Sequence, residues 1–182
     1  MVRLVGPGGS GKSTTGALLA TRLGVSFVDL DRHFSERAGD ISEFIREHGY
    51  ENCARANIEN YCSLLRHENR PGVMAFSSGF MTYELDAHPE YPRVRSEVEL
   101  CPTTFALLPS LDREVCVSET VRRQIARPFG QSMVTEEAVI RARFEVYRAM
   151  PVRKVETMRP VHAVVDELVA VLARENPVIS CR

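Results

Sequence analysis

The sequence predicts a three-layer α/β fold in which a five-stranded parallel sheet is flanked by helices. Three observations support this class. Short apolar runs, typical of buried parallel strands, alternate with longer helical patterns. The first run leads into a glycine-rich loop, and later runs end at small or acidic residues, where open α/β sheets bind ligands. With 182 residues, 44% of them hydrophobic, the chain suits a single domain over residues 1–182.

Composition restricts the partners. Lysine and arginine number 23 against 24 acidic residues, and the formal net charge is −1. This balance argues against a nucleic-acid or anionic-membrane surface and favours a small anionic ligand bound by local basic residues. We therefore expect a small-molecule substrate, no nucleic acid and no membrane partner. For a chain of this size we expect a monomer.

The cysteines and the N-terminus predict a cytoplasmic protein. The five cysteines are odd in number and form no C-x-x-C pair, so neither a disulfide framework nor a zinc site is indicated. The first strand begins directly after Met1, which leaves no room for a signal peptide, and no apolar run approaches the length of a membrane span.

The first predicted strand, residues 2–5, carries the clearest motif. It is followed by Gly6-Pro7-Gly8-Gly9-Ser10-Gly11-Lys12-Ser13-Thr14, which matches the phosphate-binding pattern G-x-x-x-x-G-K-[ST]. The glycines let backbone N–H groups approach a phosphate, Lys12 reaches the terminal phosphates, and Ser13 offers a hydroxyl to Mg²⁺. The predicted helix 12–23 adds the positive end of its dipole. The pattern predicts a nucleoside triphosphate site formed by Gly8, Gly9, Ser10, Gly11, Lys12, Ser13 and Thr14.

A second strand over residues 25–29 delivers Asp29 and Asp31 to the same edge of the sheet. Two acidic residues one apart are also compatible with a solvated turn. Beside a phosphate loop, handling of Mg²⁺ and contact with the substrate is the better interpretation, because phosphoryl transfer needs carboxylates that face the metal and the attacking hydroxyl.

A helical insertion, residues 32–67, follows with patterns over 41–48 and 50–67. Its Arg55 is open to two interpretations, a ligand contact or an ordinary solvated helix face. A third strand over 73–76 ends at Ser77-Ser78-Gly79, on the same sheet edge. Residues 81–103 appear irregular in pattern, with one short helix over 93–100.

The remaining elements complete the alternation: a strand over 104–108, a helix over 112–126, a helix from Thr135 to Pro151, a strand over 154–157 and a helix from Pro160 to Leu172. Between them, residues 127–134 have the composition of a mobile loop and begin with Arg127. A loop arginine beside a phosphate site suggests a lid that closes over the reacting phosphates, although an exposed connector is compatible with the same composition.

From Leu4 to Leu172 this order of features resembles the shikimate kinase family, small P-loop phosphotransferases of the nucleoside monophosphate kinase-like fold. The motifs that carry the resemblance are, besides the loop, Phe27-Val28-Asp29-Leu30-Asp31, Gly49-Tyr50-Glu51-Asn52-Cys53-Ala54-Arg55, Arg127-Pro128-Phe129 and Arg143-Phe144-Glu145-Val146-Tyr147.

The resemblance implies a role for each matching residue. Asp29 would support Mg²⁺ through water, and Asp31 would bind substrate hydroxyls and polarise the attacking one. Arg127 would reach the transferring phosphate, and Arg55 and Arg143 would clamp a substrate carboxylate. ATP and Mg²⁺ are the implied cofactors. Thr157 lies where the family's adenine-side loop begins, and Arg159 is a candidate for that loop.

One departure from the family concerns the acceptor. The family has three consecutive glycines against the shikimate ring, where this chain has Ser77, Ser78 and Gly79. The two added side chains narrow that pocket or supply hydroxyl groups to a different substrate. The alternatives left open are shikimate phosphorylation, phosphorylation of another hydroxylated compound such as a sugar acid, a biosynthetic intermediate or an antibiotic, and a nucleotide-binding module without catalysis.

Overall fold

The central sheet has five parallel strands in the order β2-β3-β1-β4-β5. The structure is a computed structural model that describes residues 1–66, 70–125 and 133–175. The five-stranded parallel sheet flanked by helices confirms the predicted fold class. The strands are β1 (Val2–Val5), β2 (Phe27–Asp29), β3 (Val73–Ala75), β4 (Thr104–Leu108) and β5 (Arg153–Glu156).

Helices connect the strands on both faces of the sheet. Within the described ranges they are α1 (Lys12–Leu23), α2 (Leu30–Ala38), α3 (Ile41–His48), α4 (Tyr50–Arg66), α5 (Tyr91–Leu100), α6 (Arg113–Ile125), α7 (Met133–Ala149) and α8 (Val161–Glu175). A short 3-10 helix, Phe80–Thr82, follows β3. No described helix is long and apolar enough to cross a bilayer.

Helix α2 was not predicted. It begins directly after β2 because Asp29 caps its N-terminus, with Asp29 Oδ1 accepting from the backbone N–H of Asp31 at 3.1 Å and of Arg32 at 3.2 Å. Asp31, two residues after the end of β2, therefore lies in the first turn of a helix. The predicted bounds of α1 and α3 are confirmed, and α5 begins two residues earlier than expected, at Tyr91.

The two faces of the sheet bury separate hydrophobic clusters, because side chains alternate along each strand. Leu4, Val73 and Phe105 pack with residues of α1 and α8 on one face. Val5 and Met74 pack on the other face with residues of α4, α5, α7 and the 3-10 helix. The resulting three layers place the ends of β1, β2 and β3 at one edge, where the loop and both aspartates lie.

Candidate functional site

The loop between β1 and α1 forms a cradle of backbone groups. Gly6, Gly9 and Gly11 have φ values of 147°, 76° and 92°, in the region that favours glycine. A Cβ on Gly6 would lie 2.3 Å from the carbonyl oxygen of Leu107, so the loop passes too close to β4 for a side chain. The N-terminus of α1 has no side-chain cap and no acidic residue in its first turn. Such an uncapped terminus of helix N–H groups fits the anionic phosphates of ATP.

Lys12 is buried against this loop, with 7% of its surface exposed. Its Nζ donates to the backbone oxygens of Gly6 and Pro7, both at 2.8 Å. Burial raises the pKa of the Asp31 carboxyl group overall, and the nearby charge of Lys12 acts against this rise. Lys12 thus lies between the loop and the acidic residue predicted to contact the acceptor.

A cavity of about 290 Å³ opens beside the loop, and Gly9 and Gly11 of the loop form part of its wall. Arg159, the residue predicted for the adenine side, lines this cavity together with Thr14 and Thr157. The hydroxyl of Thr157 donates to the backbone oxygen of Ser10 at 2.9 Å, which joins the end of β5 to the loop.

Arg123 also lines this cavity and was not among the predicted site residues. Its guanidinium donates to the backbone oxygens of Gly9 and Thr157, each at 3.2 Å, and its Nε donates to Glu119 at 2.7 Å. It was recognisable in the sequence only as one of several arginines on α6. Arg123 reaches this cavity because α6 packs over the loop, and no local sequence pattern indicates that packing.

The two predicted metal residues lie at the same edge. Ser13 is exposed at the start of α1, and Asp29 uses Oδ1 as the cap of α2. Among the described residues there is no group of three or more His, Cys, Asp or Glu side chains that would hold a metal by themselves. A hydroxyl and one or two carboxylates suit Mg²⁺ that arrives on phosphates, since this ion keeps several waters and takes few protein ligands.

A second cavity, of about 370 Å³, lies on the other side of the loop and is called the acceptor cavity below. Gly8 of the loop forms part of its wall, so the two cavities meet at the phosphate cradle. Its lining combines aromatic, aliphatic and polar side chains: Asp31, Phe34, Ile41, Ile45, Tyr50, Cys53, Asn57, Ser77, Ser78, Gly79, Tyr83, Gln124, Val139 and Arg143.

Asp31 supplies the carboxylate of the acceptor cavity. Burial raises its pKa above the ordinary value, while a hydrogen bond from Ser77 and the charges of Lys12 and Arg143 act in the opposite direction. A desolvated carboxylate that retains a hydrogen-bond donor and nearby cations suits the role of orienting a hydroxyl and accepting its proton.

Ser77, the first of the two serines that replace glycines, is buried at the end of β3. Asn57 on α4 donates from Nδ2 to Ser77 Oγ at 2.7 Å and to the hydroxyl of Tyr83 at 2.9 Å. The Ser77 hydroxyl thereby connects the amide on α4 with the carboxylate of Asp31. The sequence did not single out Asn57, Tyr83 or Cys53.

Ser78, the second serine, is held by α7. Arg143 donates from Nη1 to Ser78 Oγ at 3.0 Å, and Tyr147, one turn later, donates its hydroxyl to the Ser78 backbone oxygen at 2.9 Å. The R-x-x-x-Y pattern thus places both side chains on one helix face against the same residue. Gly79 completes the wall, and a Cβ there would lie 2.8 Å from the Tyr50 hydroxyl and 3.0 Å from Arg143 Nη2.

Arg55 does not reach the acceptor cavity in this structure. It is exposed and lines a separate cavity of about 290 Å³, and Tyr50 and Tyr83 contribute to the walls of both. The reason is the helical period, since a residue two positions from Cys53 and Asn57 points about 200° away from them. The predicted convergence of Arg55 and Arg143 on one cavity is therefore absent here. Arg127 and most of the predicted lid, residues 127–132, lie outside the described residues.

Comparison with known proteins places this geometry in a family. A family model described as shikimate kinase matches residues 8–173. The shikimate kinase of Nitratidesulfovibrio vulgaris is 30% identical over 178 residues, covering 94% of this chain and 95% of that protein, and the shikimate kinase of Thermobifida fusca is 28% identical over 173 residues, covering 92% and 91%. The solved shikimate kinase of Acinetobacter baumannii in complex with shikimate has a TM-score of 0.70 at 21% identity, covering 96% of this chain and 93% of that one. The chain belongs to the shikimate kinase family, ATP-dependent kinases that phosphorylate a hydroxyl group.

Proposed function

We propose that this kinase transfers the γ-phosphoryl group of ATP to a hydroxyl of a small, carboxylated polyhydroxy compound bound in the acceptor cavity. The observation that carries the proposal is that Gly8 of the phosphate loop, the carboxylate of Asp31 and the guanidinium of Arg143 line one cavity. A phosphate cradle, a hydroxyl-orienting acid and a carboxylate-binding cation are the groups that this transfer requires.

In the proposed reaction Asp31 orients the acceptor hydroxyl and takes its proton. The hydroxyl oxygen bonds to the γ-phosphorus, and the bond from that phosphorus to the β–γ bridging oxygen breaks, leaving ADP. Lys12 and the backbone N–H groups of Gly8, Gly9, Ser10 and Gly11 hold the phosphates, with Thr14 and Arg159 on the nucleotide side. Arg127 is proposed to reach the transferring phosphate from the predicted lid, whose closure would exclude water.

Ser13 and Asp29 are the residues proposed to hold Mg²⁺, the second directly or through water. When bound with ATP, this ion neutralises the charge that develops on the phosphate oxygens. The site suits this ion because Mg²⁺ takes few protein ligands. The two proposed here are the exposed Ser13 hydroxyl and the Asp29 oxygen that is not used in the cap.

Shikimate is the first acceptor to test. The family and the curated relatives are named for it, and one solved relative of the same fold was determined in complex with it. Arg143 supplies one guanidinium for its carboxylate, and Asp31 supplies the group for its attacking hydroxyl.

A different hydroxylated acceptor is the second candidate, and two observations favour it. Only Arg143, and not Arg55, contributes a guanidinium to the acceptor cavity among the described residues. The side chains of Ser77 and Ser78 also occupy positions where the family has glycine, so the wall offers hydroxyl groups in place of bare backbone.

The two candidates are separated by measuring ADP release from MgATP with shikimate, gluconate and the neutral cyclitol myo-inositol, and by identifying the phosphate monoester by ³¹P NMR. We expect release well above the basal rate with at least one acceptor and its loss in Asp31→Ala. Acceptor-dependent release that persists in Asp31→Ala would refute the role of Asp31. No acceptor-dependent release in the panel would refute the proposed acceptor class.

We also propose that the protein acts as a cytoplasmic monomer with no nucleic-acid partner. The near-balance of 23 basic and 24 acidic residues supports the absence of a nucleic-acid partner, and a chain of 182 residues is compatible with a monomer. Gel filtration with light scattering at working concentration would test it, and a mass of twice the chain mass would contradict it.

A further inference from the structure

Arg143, the residue assigned to the carboxylate of the acceptor, is held by a neutral partner. Its Nη1 donates to the hydroxyl oxygen of Ser78 at 3.0 Å, and both residues line the acceptor cavity. Arg141, two residues earlier on α7, is held instead by two carboxylates, those of Glu114 at 2.8 Å and Glu137 at 2.9 Å. A carboxylate partner offsets the charge of a guanidinium, whereas a hydroxyl fixes its direction and leaves the charge for a ligand.

The position of Ser78 is itself fixed from α7. Tyr147, one turn after Arg143, is fully buried and donates its hydroxyl to the Ser78 backbone oxygen at 2.9 Å. Helix α7 thus holds the backbone of Ser78 through one side chain, and the hydroxyl of Ser78 holds the next polar side chain on the same helix face. The guanidinium therefore meets a hydrogen-bond acceptor that is already in place.

The bond to Ser78 leaves most of the guanidinium for other partners. An arginine has five N–H donors, and Ser78 takes one of those on Nη1. The other terminal nitrogen, Nη2, lies beside Gly79, 3.0 Å from the place where a Cβ would stand. Gly79 lines the acceptor cavity too, so the guanidinium lies along the part of the wall formed by residues 78 and 79.

Arg143 has no second arginine beside it in this cavity. Among the described residues that line the acceptor cavity it is the one that carries positive charge, and Arg55 lines a separate cavity. A long side chain that is mobile before binding loses rotamer freedom when it contacts a ligand, and a side chain that is already held loses less. Holding Arg143 in place therefore matters more here than in a site where two guanidinium groups share the carboxylate.

We propose that Ser78 is a positioning residue, whose hydroxyl holds the Arg143 guanidinium ready for the carboxylate of the acceptor. This inference rests on the proposed function and assigns a role to the serine that stands where the family has glycine. Loss of the hydroxyl should weaken the binding of carboxylated acceptors by about 3- to 10-fold. Neutral acceptors should change less than about twofold, because they make no use of the charge on Arg143.

The test is isothermal titration calorimetry on the full chain with Mg²⁺ and a non-hydrolysable ATP analogue. The probes are two pairs that differ in the charge of the carboxyl group, shikimate with its methyl ester and gluconate with gluconamide. In the unaltered protein we expect at least one acid to bind about 10- to 100-fold more tightly than its neutral partner. Ser78→Ala should reduce this preference by about 3- to 10-fold through weaker binding of the acid alone.

Further variants separate a positioning role from a general structural one. Ser78→Thr keeps a hydroxyl and should retain the preference for the acid. Arg143→Ala should remove the preference, and adding Ser78→Ala to it should change nothing further, since the serine acts through the arginine. Ser77→Ala is the matched control, because the hydroxyl of this adjacent serine contacts Asn57 and not Arg143, and it should keep the preference. Ser78→Gly, which introduces the residue of the family, replaces Ser78→Ala if that variant does not fold.

Several outcomes would overturn the inference: an unchanged preference in Ser78→Ala, equal weakening of the acid and its neutral partner in that variant, loss of the preference in Ser78→Thr or Ser77→Ala, a further loss when Ser78→Ala is added to Arg143→Ala, or no binding of any probe. Failure of the proposed function has a different signature. A preference for the acid that depends on Ser78, without any ADP release from MgATP, would refute phosphoryl transfer and leave the positioning role intact.

Discussion

Replacement of Ser77 by alanine tests whether the serine that stands in place of glycine sustains the charge of Asp31. The Ser77 hydroxyl bonds to the Asp31 carboxylate and lowers a pKa that burial raises. A hydrogen bond to a charged group contributes about 1.5–3 kcal/mol, and Lys12 and Arg143 remain in the variant, so we take the lower end of that range. Ser77→Ala should therefore raise the pKa of Asp31 further, and since about 1.4 kcal/mol is a factor of ten, kcat/KM for the acceptor should fall about tenfold at pH values below that pKa.

The sign of the effect follows from the active form. Asp31 orients and deprotonates the acceptor only when ionised, so activity falls as pH drops through its pKa. The acid limb of kcat/KM for the acceptor should therefore move to higher pH in Ser77→Ala, with little loss on the plateau. Ser78→Ala is the control, because Ser78 Oγ bonds to Arg143 and not to Asp31. An unmoved acid limb in Ser77→Ala, or an equal shift in Ser78→Ala, would refute this reasoning.

Three further predictions address the acceptor cavity. Arg143→Ala should raise the acceptor KM by about 10- to 100-fold, and Arg55→Ala should change it less than about threefold, because Arg143 lines the cavity and Arg55 does not. Steady-state kinetics on both variants measures this difference. A larger effect from Arg55 would mean that the two guanidinium groups converge when substrate binds. Asp31→Asn should abolish acceptor-dependent ADP release yet raise Tm at pH 7. The folded state raises the pKa of Asp31, so stability falls as pH rises from the ordinary value of 3.8 through the folded pKa, and the amide removes this loss; thermal melts at about pH 3 and pH 8 should show the larger gain at pH 8, and an equal gain at both would contradict the sign. Gly79→Ala should raise the acceptor KM at least tenfold with Tm nearly unchanged, because its Cβ would press on the ends of the Tyr50 and Arg143 side chains, at 2.8 and 3.0 Å, and not on backbone; an unchanged KM would show that these two side chains move aside.

The fold was predictable because its signals are local. Strands β1 to β4 lie in short, largely apolar runs, and α1 and α3 end at glycines with positive φ, Gly24 and Gly49. Helix α2 was missed because Asp29 and Asp31, next to a phosphate loop, suggest ligand chemistry. Asp29 is in addition the N-cap of this helix. The same residue serves the fold and remains a proposed metal ligand.

The candidate site was predictable only in part. Asp31 was recognised from its place just after the second strand, although its helix was not predicted. Arg143 belongs to an i, i+4 pair with Tyr147, which places both side chains on one helix face against Ser78. Arg55 was assigned from its place in the motif over residues 49–55, which does not specify the side of α4 on which it lies. The face of α4 toward the cavity instead carries Cys53 and Asn57. Polar residues of this kind look like ordinary helix residues until the packing partner, here the end of β3, is known.

The two hydrophobic clusters have a consequence for how this protein can change. The cluster built on α1 and α8 supports the nucleotide cavity, and the cluster built on α4, α5 and α7 supports the acceptor cavity. Because the sheet separates the two clusters, substitutions of acceptor-side residues such as Asn57, Ser77 and Ser78 need not change ATP binding. Acceptor specificity can therefore change through substitutions on one face of the sheet while ATP, bound on the other face, remains the phosphate donor.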